Sequence, residues 1–177
     1  MSLNLLAEVK SSDFTNQLTI NNVFTSEYGI YKITISNAEY DGGTGDVVDM
    51  RIRFMLADGT IITDNDYESA RMQQKAEGVK DEDKFQNLGY LYGVVLVGDF
   101  DSAGGILYVY NANNSASYTF TSGQGSGGYA NSSNRFRSTN QIGILKQANT
   151  ITGINFTSPS ASNNFKADVR VFGMSKS

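Results

Sequence analysis

The stretch NNFKADVRVFGMSKS, Asn163 to Ser177, closes the chain and decides how the rest is read. Phe165, Ala167, Val169 and Val171 alternate with Lys166, Asp168 and Arg170. A two-residue period puts successive side chains on opposite faces, so this is a strand with one buried and one wet face. Chain ends usually fray unless something ties them down. A patterned strand this close to the end predicts a place inside a sheet, with Phe165, Val169 and Val171 in the core. Phe172 and Met174 then lie on the opposite face, where a second sheet or subunit has to cover them.

Working outward, the same period recurs. Gln17–Val23 alternates Leu18 and Ile20 with polar neighbours. Gly29–Asn37 sets Tyr31, Ile33 and Ile35 against Ile30, Lys32 and Thr34. Val48–Ala57 sets Val48, Met50, Ile52 and Phe54 against Asp49, Arg51 and Arg53. Each reads as an antiparallel strand with one wet face. Tyr90–Val97 is apolar on both faces and reads as a central strand. Shorter strands are expected at Ile106–Tyr110, Ser117–Thr121, Gln141–Leu145 and Ile151–Phe156. Turn clusters such as YDGGTGD, VGDFDSAGG and NANNS separate them. Asp66–Lys84 breaks the pattern, because helix formers dominate it. The sequence predicts a short helix or ordered crossover around residues 66–78. The fold expected is all-β: an antiparallel β-sandwich of jelly-roll type, one domain over residues 1–177. Residues 1–12, with Leu3, Leu5, Leu6 and Val9, lie outside any obvious sheet and read as an N-terminal arm.

Composition narrows the chemistry. The 177 residues include no cysteine and no histidine. Disulfides, thiolate zinc sites, the commonest general base and the commonest transition-metal ligand are therefore excluded. Net charge is −4, without a Lys/Arg cluster of the kind nucleic acid selects, so no nucleic-acid partner is expected. No apolar run approaches the roughly 20 residues that span a bilayer. The start, MSLNLLAEVKSS, has no basic n-region and no long apolar h-region, so no cleaved secretion signal is expected.

Candidate sites are few. Asp64, Asp66 and Glu68 have the i, i+2, i+4 spacing of a calcium loop, but Ser69 stands where such a loop needs glycine. A solvated loop capping the following helix is the expectation, with no cofactor and no metal. Asp99 and Asp101 belong to ordinary turn chemistry. No carboxylate pair is singled out for glycoside hydrolysis, and no tryptophan offers a sugar platform. Tyr90, Tyr92, Tyr108, Tyr110, Tyr118 and Tyr129 supply alternatives, most of them expected as core or cross-strand partners. The glycine-rich run Thr121–Asn134 lacks the ending of a phosphate loop. It reads either as a flexible hairpin tip or as an exposed loop that presents Tyr129, with Arg135 and Arg137 following, to a partner. The catalytic expectation is none, and the chain is read as not an enzyme.

Two motifs carry a resemblance. Tyr28, Tyr31, Ile33, Ile35 and Asn37 fill a Tyr-x-x-Tyr-x-Ile-x-Ile-x-Asn strand. Val171, Phe172, Gly173, Met174 and Lys176 fill the place of a Leu-Tyr-Gly-Ile-Lys ending, with Ser175 inserted. With the LNLLAEV start and the MRIRFMLADGTII segment, the chain resembles small virion structural proteins of tailed bacteriophages, marine and cyanobacterial ones especially. The resemblance covers both ends of the chain. It implies a jelly-roll-like sandwich, often a homotrimer, of the tail-fibre or receptor-binding type and located in the virion. Its implied partners are other virion proteins and host cell-surface glycan, without membrane insertion. A capsid decoration protein is the alternative, and a carbohydrate-active enzyme the third. For the contact with a subunit or virion neighbour, Leu3, Leu5, Leu6, Phe172 and Met174 are the candidates.

Overall fold

A computed structural model describes residues 2–41, 48–76, 78, 80–97, 103–129, 135–159 and 164–175. These form twelve strands. The first six are β1 (Leu3–Lys10), β2 (Gln17–Ile20), β3 (Ile30–Tyr40), β4 (Val48–Met55), β5 (Tyr67–Lys75) and β6 (Lys80–Leu88). Then come β7 (Leu91–Val97), β8 (Ala103–Tyr110), β9 (Thr119–Tyr129), β10 (Arg135–Leu145), β11 (Gly153–Thr157) and β12 (Phe165–Met174). An eight-stranded sheet in the order β1-β12-β3-β8-β9-β10-β5-β6 faces a four-stranded sheet in the order β2-β11-β4-β7. Every named pairing is antiparallel. The fold is an all-β antiparallel sandwich of jelly-roll type.

The final strand is tied down because β12 sits between β1 and β3. Phe165, Ala167, Val169 and Val171 are buried between the sheets, and Phe172 and Met174 lie on the opposite face. The two motifs near the chain ends meet here. Val171 pairs with Ile33 and Gly173 with Tyr31. The Tyr28 ring lies flat on Gly173, where an added Cβ would come within 2.6 Å of it. Asn37 takes a φ of 51° at a bulge in β3, a conformation asparagine tolerates better than most residues. Its amide donates to Asp168 Oδ2 at 2.8 Å.

The described residues of 66–78 hold no helix, which corrects the sequence expectation. Tyr67–Lys75 is strand β5, paired with β10 from Tyr67↔Leu145 to Lys75↔Arg137. Nine cross-strand pairs outweigh the few tenths of a kcal/mol by which Glu, Ala, Met and Gln each favour a helix. Leu3–Lys10 is likewise an edge strand rather than an arm outside the sheet. The bulge between Leu5 and Ala7 turns Leu6 toward the core. Tyr90–Val97 also differs from its reading. β7 closes one edge of the small sheet and is apolar because it presses on β9 and β8 of the large one. A bulge opposite Asp49 and Arg51 sends both Val94 and Val95 inward.

The large sheet overhangs the small one at β5 and β6. Arg71 fills that overhang, with Nε donating to Asp83 at 2.8 Å and Nη1 to Asp49 at 2.7 Å. It also lies over the Phe85 and Tyr92 rings at 5.1 and 5.0 Å. Burial alone would lower its pKa, but the bonds from Asp49 and Asp83 outweigh that and raise it. The guanidinium therefore stays charged and pins the β5 end to β4.

Tyr67 does the same within the core. Its hydroxyl accepts from Phe54 N at 2.9 Å and donates to Ile62 O at 3.1 Å. Tyr67→Phe keeps the ring stacked on Phe54 and strands both backbone groups, at a cost of about 2 kcal/mol. Urea denaturation checks this; an unchanged midpoint would show that the hydroxyl is not holding the strand end.

Alkaline pH gives a second prediction. Burial raises the Tyr67 and Tyr31 hydroxyls above the ordinary tyrosine value. Burial, followed by the Tyr90 hydroxyl, pushes Tyr92 up to about 12. The folded chain keeps these protons where the unfolded chain, with tyrosines near 10, has released them. This stabilisation is complete below about pH 10 and is lost as pH rises toward 12. Denaturation midpoints at pH 8, 10 and 11.5 should fall only across the last interval. A flat series would refute the assignment.

Candidate functional site

Glycine and register together build the outer face of the large sheet. The run Thr121–Asn134 is not a flexible tip over its described part, since Thr121 to Tyr129 belong to β9. Gly123 and Gly125 face β7. A Cβ on Gly123 would meet Ile106 O at 2.6 Å and Val94 Cγ1 at 2.7 Å, and one on Gly143 of β10 would meet Leu91 Cδ2 at 2.9 Å. Small residues inside let the sheets close up, and the bulkier side chains of β8, β9 and β10 turn outward.

The outer face carries two apolar rows. Cross-strand pairing aligns Leu3, Met174, Ile30, Tyr110, Phe120 and Ile144, one from each of six successive strands, ending at Glu68. The next row aligns Leu5, Phe172, Lys32, Tyr108, Ser122 and Ile142, then Ala70 and Lys84. Wet faces of antiparallel sheets are ordinarily polar. Here Ile142 is 64% exposed, Leu5 55% and Phe120 44%. Of the eight exposed large hydrophobic residues among those described, six lie on this face: Leu3, Leu5, Met72, Phe120, Phe136 and Ile142. Between β8 and β6 the face is concave, forming a groove of ≈ 1330 Å³.

Of the polar groups that line the groove, Glu82, Lys84 and Gln86 stand at its margin on the edge strand β6. The Ser122 hydroxyl is already bonded to Tyr110 Oη at 3.0 Å, and Glu68 is held by Lys146 at 2.7 Å. Gln124 and Asn140 follow one row further on. The groove thus offers shape and apolar contact, with no pair of free carboxylates set across it.

The sequence candidates separate on this frame. Leu3, Leu5, Phe172 and Met174 all fall in the two rows, and Leu6 does not. Tyr129 and Arg135 are cross-strand partners at the ends of β9 and β10, and their side chains lie outside what the structure describes. Arg137 is in β10 rather than a loop and is half-buried beside Lys75 on the inner side of the strand. Asp99, Asp101 and Lys176 lie outside the described residues. Asp64 and Asp66 both accept from the Gln147 amide, at 3.0 and 2.6 Å, in a turn that leads into a strand and caps no helix. Among the described residues no group of three His, Cys, Asp or Glu converges on a metal position. No helix of the described chain is long and apolar enough to cross a membrane.

Sequence reasoning missed Ile30, Phe120, Ile142 and Ile144. The signal was an apolar residue on the supposedly wet face of a strand, as in ILYVY and QIGIL. That it marks a continuous row appears only from the pairing.

No family model and no curated protein matches this chain. Among solved structures, it is similar in fold to a family 7 alginate lyase, A1-II′, in complex with product. The TM-score is 0.30 at 10% identity, covering 96% of this chain and 90% of that one. A substrate complex of the same lyase gives 0.26 at 9% identity, covering 85% and 64%. At these scores the likeness carries no argument about this chain.

Proposed function

We propose that this chain is a structural protein of a tailed-bacteriophage virion, a non-enzymatic module of the tail-fibre or receptor-binding type. It assembles as a homotrimer, contacts neighbouring virion proteins through the outer face of its large sheet, and reaches host cell-surface glycan. The observation that supports this is the pair of apolar rows left uncovered across that face. An exposed patch of this extent marks a contact surface. The resemblance at both chain ends supplies the particle as its setting. A capsid decoration protein is the second reading, and the breadth of the apolar footprint favours it. The N-terminal segment does not, because Leu3–Lys10 is held in the sheet and is not free to thread a neighbour.

Mass spectrometry of purified particles grown from the encoding genome tests the setting. The chain should appear at a fixed copy number. Its abundance in lysed cells together with absence from particles would overturn the reading. Light scattering across a concentration range separates the two roles: a stable trimer supports the fibre type, and a monomer supports decoration.

A further inference from the structure

We propose that the groove over β8, β9, β10, β5 and β6 seats an amphipathic α-helix of a neighbouring protein, lying along the apolar rows with an acidic residue toward each end. The inference rests on the virion reading above for the partner's setting, while the kind of partner follows from how polar groups are satisfied.

Three ligand types fit a groove of this length. An extended peptide crossing five strands covers roughly 19 Å, and so about six residues and twelve backbone polar groups. The sheet's own backbone is already paired across the groove, so it has none to offer on its face. A glycan brings several hydroxyls per ring. Against them stand Gln124 and Asn140 one row out, Glu82, Lys84 and Gln86 along the β6 margin, and Ser122 and Glu68, which are already bonded; the floor between them is Tyr108, Phe120, Ile142 and Ile144. Buried polar groups left unpaired cost about 1–3 kcal/mol each, so both ligands lose heavily. A helix satisfies its own backbone and asks only for apolar contact. Phe120, Ile142, Ile144 and Tyr108 supply that contact.

Charge sets the direction. Lys32 and Lys84 stand on one row, five strand spacings apart, and make no ion pair among the described residues. That separation is about 24 Å, or roughly 16 residues of helix. Glu82, one row away, weakens the attraction near Lys84 without cancelling it at Lys32.

The probe is a labelled 20-residue helical peptide with Leu and Ile on one face and Glu near each end, against a scramble of the same composition. Micromolar binding of the helix is expected, at least tenfold tighter than the scramble. Ile142→Asp, and independently Phe120→Ser should the first not fold, should each weaken it tenfold or more with the melting point unchanged. Lys32→Glu with Lys84→Glu should weaken it about fivefold at low salt and less at high salt. Equal binding of the scramble, or indifference to these changes, would overturn the inference. Failure here with the chain present in particles leaves the virion reading standing. Success here with the chain absent from particles removes only that reading.

Discussion

Val169→Asp should abolish the cooperative thermal transition. Val169 is fully buried and pairs with Val9 on one side and Ile35 on the other, in the strand that joins β1 to the rest of the large sheet. A carboxylate there meets only apolar neighbours. Its burial unpaired costs several kcal/mol, or forces protonation at a comparable cost. Native domains hold only about 5–15 kcal/mol in total. Circular dichroism during heating is the measurement, with Arg170→Gln as the control. Arg170 is on the outer side of the same strand, bonded to Glu8 near the surface, and its loss should change stability by less than about 1 kcal/mol. A Val169→Asp protein that melts at the parent temperature would place β12 outside the core.

Gly125→Ala should cost about 3 kcal/mol and lower the melting point by roughly 10 °C. This is a single methyl in the middle of a strand, a change that normally improves a strand slightly. Here the added Cβ would fall on the Val94 carbonyl oxygen, well inside any permitted contact, and would meet Gly104 O at 3.0 Å. Both obstacles are backbone, so no side chain can swing aside. The sheets must separate locally, and Val94 and Val95 lose contact with the large sheet. Ser126→Ala, next in the strand and exposed, is the control and should move stability by no more than about 0.5 kcal/mol. A neutral Gly125→Ala would mean that β7 does not lie against β9 as described.

These two variants mark different depths of legibility. Val169 was readable because its period is local: six residues suffice to show which face is wet. β3, β4 and β12 were legible in the same way, and their buried faces match the alternation of Tyr31, Ile33, Ile35, Met50, Ile52 and Phe54. Gly125 was not readable. A glycine-rich polar run looks like a loop unless one knows that another strand crosses it closely. β5 and β6 were hidden for a related reason. Lying beyond the edge of the small sheet, they carry Arg71, Asp81 and Asp83 where a covered strand would carry valine, and the alternation that betrays strands is missing.

The candidate surface divides along the same line. Alternation alone put Phe172 and Met174 on the face away from the core. It could not align them with Ile30, Tyr110, Phe120 and Ile144. That alignment depends on registers between segments up to 144 residues apart, from Ile30 to Met174, fixed only when all the strands pair. Side-chain period and composition are local properties, so an antiparallel sandwich without histidine or cysteine chemistry was legible before any strand was paired. Register is a property of pairs, so the gathering of scattered apolar residues into one face emerged only with the paired strands.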